Sequence, residues 1–402
     1  MSSNLSQAPQ VGVQIQLEER RRLRKRDWRR RRWRRRRRFA ALATAPLLAL
    51  VLSSYVSTMV QPSSLPLGIR SIEWLRANGA AWIVNDVERV YYQLTAPAKG
   101  GPGLHALPRV GSAGLSSRGS YEPRPIRPVL RPRLTGEGAW RSTGPRVAGA
   151  PPVLVTTYRP DPSYPRVVAY VAWVDHSRTS LALYPGRYEP PVGSPRGPMS
   201  VPLGERRLLL ATFNSGFTAR DGHGGFAVNG NVYTPLREGQ ATVVAYRGGK
   251  VDIVSWKAAD RLDSRILLAR QNLPLIVDNG VRGPDLADGS QWGATLGNAI
   301  RVWRSGIGID RHGNLIYAAA DYQTVGSLAD IFIHAGAVRA MELDINAEWP
   351  SFMTYRHAGA LVPIKLVPNG QQSASRYLRP DDRDFFAVYR RTRRASLHVP
   401  FR

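Results

Sequence analysis

Acidic and amide side chains alternate with apolar ones in the short segment Met341–Glu348. On a β-strand, this period of two would place the polar side chains on one face; they are Glu342, Asp344, Asn346 and Glu348. Carboxylates so close together repel one another, which predicts a neighbouring cation, either an arginine or a divalent ion such as Ca²⁺. Two carboxylates whose pKa values are pushed apart can act as acid and base. A solvated face on an edge strand would give the same pattern without any chemistry.

Two further features have side chains suited to binding. A short polar loop with Asn214 and Gly216 follows the apolar run that ends at Thr212, and glycine there lets a ligand approach the backbone closely. Arg304 precedes the run Ser305–Asp310, and its planar guanidinium is well suited to a phosphate group. An ordinary turn and an exposed arginine at the start of a strand are the alternative interpretations.

These candidates need a scaffold, and the sequence from Val153 to Tyr389 predicts one that is rich in strands. Short runs of Val, Ile, Leu and Tyr recur there between turn residues. Two hairpin turns and two helices are predicted among them: Arg247–Lys250, Asp310–Asn314, Ser327–Ala335 and Ala258–Leu268. The predicted fold class is therefore α+β, a strand-rich domain with a few helices over residues 153–402.

The N-terminal part of the chain predicts a membrane anchor. Phe39–Val60 is free of charge over 22 residues, and about 20 apolar residues are enough to cross the hydrocarbon core. Residues 1–38 contain 15 basic and three acidic residues, and positive charge keeps its flank in the cytoplasm. We therefore predict a single-pass plasma-membrane protein with a cytoplasmic tail, an uncleaved signal anchor at residues 39–60 and an extracytoplasmic domain. A cleaved signal peptide is the alternative.

Charge favours anionic partners for both the tail and the rest of the chain. The tail interleaves Trp28 and Trp33 with arginines, which would suit nucleic acid, but anionic lipid is the preferred partner beside a membrane segment. Residues 39–402 contain 42 basic and 26 acidic residues, so this part should attract polyanions. The chain has no cysteine, which excludes disulfides and thiolate metal sites.

Two segments connect the anchor to the strand-rich domain. Residues 61–96 predict a helical stalk that is interrupted near Asn78-Gly79. Residues 97–152 are rich in Pro, Gly, Ser and Arg, and they predict a largely irregular linker.

The order of several motifs resembles the phosphodiester glycosidase family over about Val153–His357. Asn214, Gly216 and Phe217 match the family's Asn, Gly and aromatic residues, and Arg304–Gly308 is similar to its Arg-Thr/Ala-x-Ile-Gly stretch. Glu342–Asp344 is similar to the start of its Asn-Leu-Asp-Gly-Gly-Gly-Ser stretch. The glycines and the serine of that stretch are replaced here by Ile345–Glu348, so the backbone N–H groups of a glycine-rich turn are lost.

The resemblance implies a hydrolase that acts on a sugar–phosphate diester, here in a cell-surface glycan or wall polymer. Asp344 would be the general acid/base or nucleophile, with Glu342 or Glu348 as its partner. Four residues would bind the phosphate and the sugar: Asn214, Gly216, Arg304 and Asn346. No cofactor is implied with certainty, and a divalent cation such as Ca²⁺ stays open. Because the glycine-rich turn is replaced, a catalytically inactive surface protein that binds anionic glycans is the second hypothesis.

Overall fold

The computed structural model describes residues 28, 32, 33, 35, 37–39, 42, 44–112, 121–191, 197–222, 224–287, 290–292, 300–368 and 372–391. The chain divides into two compact units, Met1–Gln61 and Pro62–Arg402. The first unit contains helix α1, Arg37–Val60, which has 24 residues and includes an 18-residue window with a mean hydropathy of 1.9. Within the described part of the chain, it is the one helix long and apolar enough to cross a membrane. Most of the arginine-rich tail lies outside the described residues.

The second unit is built on three antiparallel sheets, which confirms the predicted strand-rich α+β class. The first sheet contains β1 Arg141–Ser142, β2 Val153–Tyr158, β3 Ala169–Val174, β11 Leu275–Asp278, β12 Val281–Arg282, β13 Val302–Asp310, β14 Leu315–Gln323 and β15 Ala337–Glu342. The second contains β6 Phe226–Val228, β7 Asn231–Thr234, β8 Ala241–Tyr246, β9 Val251–Ser255 and β10 Ile266–Gln271. The third contains β4 Thr179–Tyr184, β5 Leu209–Asn214, β16 Phe352–Ala358, β17 Ala360–Lys365 and β18 Phe385–Arg390.

Non-local pairings determine the strand order. The first sheet runs β1-β2-β3-β14-β13-β15-β11-β12, the second β7-β6-β10-β8-β9 and the third β17-β16-β5-β18-β4. Both predicted hairpins are confirmed, since β8 pairs with β9 across Arg247–Lys250 and β13 pairs with β14 across the turn before Leu315. Central strands such as β3 and β5 are buried along their whole length, which explains their nearly continuous apolar runs.

Aromatic side chains from different sheets join the main core. Phe213 of β5 lies 5.8 Å, centroid to centroid, from Phe352 of β16 and 5.1 Å from Phe386 of β18. It also lies 5.6 Å from Tyr317 of β14, in the first sheet. Burying each such ring contributes roughly 1.5–3 kcal/mol. These contacts hold the end of β5 against β14, where the candidate residues lie.

The helices follow the sequence predictions in part. Helix α5, Val325–His334, confirms the prediction at Ser327–Ala335, and its N-cap Thr324 accepts a hydrogen bond from the Ser327 N–H at 3.0 Å in a capping box. A one-turn helix α4, Ala219–Gly222, was not predicted. Short 3₁₀ turns are found at Leu203–Leu208, Ser290–Trp292 and Arg376–Leu378.

The helix predicted at Ala258–Leu268 is wrong. Ile266 begins strand β10, which pairs with both β6 and β8, and the preceding residues form turns. The Asp263 side chain accepts a hydrogen bond from the Arg265 N–H at 2.8 Å, which favours a turn over a helix at this point. Tertiary pairing of a buried strand overrides the apparent helical spacing.

The predicted stalk is a helical pair, and the predicted linker is packed. Helices α2, Leu67–Ala77, and α3, Ala81–Thr95, are separated at the predicted break. The segment 97–152 is largely irregular, as predicted, but it is no free spacer. Glu137 is fully buried and forms an ion pair with Arg159 at 2.9 Å, and β1 pairs with β2. An unpaired buried carboxylate would be costly, so this pair fixes the segment to the first sheet.

Candidate active site

Ser305 joins the ends of two sheets at the candidate site. Its hydroxyl donates to the Asp344 carbonyl at 3.0 Å and accepts from the Asn214 amide at 3.1 Å. The backbone N–H of Ser305 donates to the same carbonyl at 2.9 Å, and the Ser305 carbonyl accepts from the Leu343 N–H at 2.8 Å. β13 therefore holds the chain after β15 beside the end of β5, and it brings Asn214 and Asp344 together as the motif order predicts.

Asp344 is a buried carboxylate that faces a cation. One oxygen, Oδ2, accepts from Arg383 Nη2 at 3.0 Å, and the other, Oδ1, accepts from the Asn346 backbone N–H at 3.0 Å. The residue is 4% exposed. Burial raises the pKa of Asp344 to about 6, although Arg383 and the Asn346 N–H oppose that shift. A carboxyl group with a pKa in this range exchanges protons near neutral pH.

The predicted strand does not continue through the motif. β15 ends at Glu342, and the following residues form a turn. The Asp344 side chain bonds the Asn346 N–H, and the Asn346 side chain accepts from the Glu348 N–H at 3.1 Å. Such side-chain to backbone bonds compete with a sheet ladder. The expectation that all four polar residues share one strand face is therefore wrong, because these local bonds end the strand.

Glu342 and Arg304 form a buried ion pair behind Asp344. Arg304 Nη1 donates to Glu342 Oε1 at 2.5 Å, and Arg304 Nε donates to the Gln323 carbonyl at 2.9 Å. Burial raises the pKa of Glu342, Arg304 opposes that shift and Asp344 adds to it. Glu342 Oε2 is buried without a hydrogen-bond partner among the described residues. Arg304 is thus a buried partner of Glu342, which differs both from the predicted phosphate contact and from the alternative of an exposed arginine at a strand start.

Asn214 and Gly216 shape the site from the end of β5. Asn214 Oδ1 accepts from the Tyr317 hydroxyl and from the Ser351 N–H, both at 2.9 Å. A Cβ at Gly216 would come within 2.9 Å of Asn272 Cγ. Glycine at this position therefore leaves room for the Asn272 amide, which donates to the carbonyls of Glu342 and Leu343 at 2.8 Å each. Both predicted residues lie at the site, and both are engaged with protein groups.

Asn346 and Glu348 lie on the turn after Asp344 and are partly exposed. Glu348 Oε2 has no hydrogen-bond partner within the described part of the chain, although that atom is buried. Of the three candidate carboxylates, Asp344 and Glu348 are on the turn, while Glu342 lies deeper in the sheet. The structure thus brings all seven predicted residues to one region but gives them different surroundings.

Sequence analysis missed Arg383 and Trp349. Trp349 is 3% exposed and lies between two arginines, with the guanidinium carbon of Arg383 at 4.7 Å and that of Arg376 at 5.0 Å from the ring centroid. Arg376 is held in turn by Asp381 at 2.6 Å. The only sequence signal was the charged run Asp381–Asp384 between apolar segments, and it lies beyond the motifs that carried the resemblance.

The described residues contain no group of three or more His, Asp or Glu side chains arranged to hold a metal ion. Asp278 and Asp285 belong to no such group, and the neighbouring Asp288 lies outside the described residues. The cation next to Asp344 in this structure is the guanidinium of Arg383.

Comparison with known proteins agrees with the motif order. A family model described as phosphodiester glycosidase matches residues 209–344, from the start of β5 to Asp344, which confirms the resemblance. The catalytic domain of zebrafish N-acetylglucosamine-1-phosphodiester alpha-N-acetylglucosaminidase, auto-inhibited by its pro-peptide, is 16% identical, with a TM-score of 0.42. That match covers 63% of this chain and 88% of the zebrafish chain.

A hypothetical protein from Synechocystis is 15% identical, with a TM-score of 0.35, and the match covers 62% of this chain and 65% of that one. No curated protein sequence matches the chain.

Proposed function

We propose that this phosphodiester glycosidase-like domain hydrolyses a sugar 1-phosphodiester, with Asp344 as the catalytic carboxylate. The observation that carries the proposal is the pairing of Asp344 with Arg383 at 3.0 Å, at the end of the segment that matches the family. This pairing places a group that exchanges protons near neutral pH beside a fixed positive charge. Hydrolysis of a sugar phosphodiester needs both groups. The carboxylate activates the water that attacks C1 of the sugar, and the positive charge stabilises the anionic phosphate that leaves.

In the proposed reaction, the Asp344 carboxylate takes a proton from a water molecule as its oxygen bonds to C1 of the sugar. The C1–O bond to phosphate breaks, and its electron pair leaves with the phosphate monoester. Arg383 stabilises that charge through its guanidinium, a planar group suited to phosphate oxygens. A phosphate monoester leaves as a stable anion, so Asp344 is needed in its ionised form.

The other predicted residues position the chain around Asp344 or bind the sugar. Glu342 is neutralised by Arg304, so the pair fixes the end of β15, while Asn214 and Gly216 fix the end of β5. Asn346 and Glu348 are partly exposed on the turn, and we assign them to sugar hydroxyls, with Glu348 as the second carboxylate of the site. Arg304 therefore has a different role from the direct phosphate contact first expected.

We place this activity at the outer face of a plasma membrane. Helix α1 has the length and composition of a single-pass anchor, and the basic residues before it favour a cytoplasmic N-terminus. The substrate would then be an anionic glycan or polymer of the cell envelope, which suits the excess of basic residues in the rest of the chain.

Sugar release from a panel of sugar 1-phosphate methyl diesters tests the proposal on the full-length protein. Asp344→Asn should lower the rate by about 100-fold or more, because a positioned base contributes at least that much. Asp330→Asn is the control, since Asp330 lies on α5 in an exposed pair with Arg282. A parallel reaction with EDTA shows whether a divalent cation takes part.

Two results would contradict the proposal. Release that is unchanged by Asp344→Asn would remove this residue from the mechanism. Binding of an anionic glycan polymer without release from any diester would instead favour the catalytically inactive glycan-binding protein, which the replaced glycine-rich turn also fits.

A further inference from the structure

Helix α3 has one face that reaches towards the candidate site. Val84 on this face is buried, and Glu88 pairs with Arg76 of α2 at 2.7 Å. The Tyr92 hydroxyl is hydrogen-bonded to the backbone of Ala347, on the turn after Asp344. The helical pair is therefore part of the surroundings of the catalytic turn.

Another face of α3 is apolar and exposed. Four aliphatic residues recur there at the spacing of one helical face: Ile83, Val87, Val90 and Leu94. Two aromatic residues, Trp82 and Tyr91, lie beside them. Their exposed fractions range from 40% at Ile83 to 81% at Leu94. We call these six residues the α3 stripe. Large apolar residues grouped in this way on a surface mark an interaction site.

The start of the second unit is fixed close to the catalytic residues. The Ser63 hydroxyl donates to Asp382 at 3.1 Å, and the Ser64 hydroxyl donates to Asp381 at 2.7 Å. Asp382 directly precedes Arg383 in the chain. Leu65, two residues before α2, and Ile69, in its first turn, pack with Trp349, whose ring lies against Arg383.

Helix α1 and this region are close in the sequence. α1 ends at Val60, and Ser63 is three residues further along the chain. Three extended residues span at most about 10 Å.

The chemistry of the α3 stripe matches a lipid surface better than a protein partner. Trp82 and Tyr91 are the residue types that concentrate at membrane–water interfaces, and the aliphatic residues between them can enter the headgroup boundary. The stripe begins about 20 residues after the end of the apolar helix. The basic excess in residues 39–402 also favours an anionic surface.

We propose that the α3 stripe lies in the interface of the bilayer that α1 crosses, and that the substrate is a sugar 1-phosphodiester whose alcohol is a lipid of that bilayer. This inference rests on the proposed function. Water adds to C1 of the sugar and gives one proton to Asp344, the C1–O bond breaks, and its electron pair leaves with the lipid phosphate. The products are a free sugar and a lipid phosphate monoester that stays in the membrane.

The location of the stripe is tested with a spin label on the full-length protein in liposomes. The chain has no cysteine, so Leu94→Cys gives a single labelling site. Leu203→Cys is the matched control, since Leu203 is 80% exposed and Leu94 81%. Molecular oxygen enters hydrocarbon, so it should enhance the relaxation of the spin label at position 94 more than a water-soluble nickel chelate does. At position 203, the nickel chelate should have the larger effect. A label at 94 that behaves like the one at 203 overturns the proposal.

The substrate class is tested with two esters of the same sugar 1-phosphate in the same liposomes, one with a long-chain lipid alcohol and one with methanol. Leu94→Glu should lower sugar release from the lipid ester at least about tenfold, because a charge weakens interfacial burial. The methyl ester should be cleaved at an unchanged rate, since Asp344 and Arg383 are untouched. Leu203→Glu should change neither rate.

The other outcomes separate this inference from the proposed function. Cleavage of the methyl ester without cleavage of the lipid ester overturns the substrate class and leaves the glycosidase intact. An equal loss on both esters in Leu94→Glu overturns the interfacial role of the stripe. No release from either ester overturns the proposed function and the lipid substrate with it.

Discussion

At the scale of single residues, Asp344 is defined by two opposing effects. Burial disfavours its charged form, while Arg383 and a backbone N–H favour it, and the net result is a pKa raised to about 6. A base must be ionised to take a proton, so the rate should fall as the pH is lowered through about 6 and level off above it. Arginine stays charged throughout this range and adds no step of its own.

Substitution of Arg383 should change both the rate and the pH profile. Without the guanidinium, the pKa of Asp344 rises further, so in Arg383→Gln the midpoint of the acid limb should move to higher pH. The rate on the plateau should also fall, because the leaving phosphate loses its cation. Arg383→Lys keeps the charge and should move the midpoint less than Arg383→Gln. The profile of kcat against pH measures both effects, and an unshifted midpoint in Arg383→Gln would separate Arg383 from Asp344.

Residue spacing predicted the position of Asp344 but not its surroundings. Local patterns and motif order both point to Asp344, Asn214 and Gly216, and the structure brings these three residues to one region. The prediction that the polar residues share one strand face is wrong because the side chains of Asp344 and Asn346 accept hydrogen bonds from the backbone. A pattern of period two does not reveal such bonds. Arg383 was missed because it follows Asp344 by 39 residues and reaches it only through the tertiary fold.

At the scale of elements, the buried ion pair between Arg304 of β13 and Glu342 of β15 stabilises the two strands next to the site. Glu342→Ala would leave Arg304 as a buried charge without its carboxylate, and it should destabilise the protein by about 3–5 kcal/mol. The double variant Arg304→Met with Glu342→Met removes both charges and should recover most of that loss. Denaturant unfolding measures the difference. A single variant that unfolds like the wild-type protein would contradict the assigned role of the pair.

Glycines in β13 allow α5 to pack closely on the first sheet. A Cβ at Gly306 would come within 2.7 Å of the Met341 carbonyl and of the Phe332 ring, so there is no room for one. Gly306→Ala should therefore destabilise the protein by about 1–3 kcal/mol. Gly204→Ala is the matched control, since a Cβ at Gly204 would have no neighbour within 4 Å. Equal unfolding free energies for the two variants would show that this packing is not tight.

At the scale of the whole molecule, local patterns predicted the elements better than their packing. The apolar N-terminal helix, the helical pair and the strand-rich class follow from periodicity and composition. Residues 97–152 are predicted to form a largely irregular linker because they are rich in Pro, Gly, Ser and Arg. It packs through Glu137 and Arg159, a contact between distant residues that composition alone does not encode.

The start of the second unit is also part of the surroundings of the site. Residues 62–65 begin the second unit, and the two serines among them bond the acidic residues that precede Arg383. A boundary drawn at Val153 would separate these serines from Asp381 and Asp382, and Leu65 from Trp349, with which it packs. The helical pair therefore belongs with the catalytic unit, although its sequence is typical of a stalk.

The most direct test of the account is the position of bond cleavage during hydrolysis in water labelled with a heavy oxygen isotope. If Asp344 directs water to C1, the heavy oxygen should appear in the released sugar and the phosphate should stay unlabelled. Asp344→Asn should form these products about 100-fold or more slowly. Label in the phosphate would mean attack at phosphorus, and it would contradict the assignment of this site as a glycosidase.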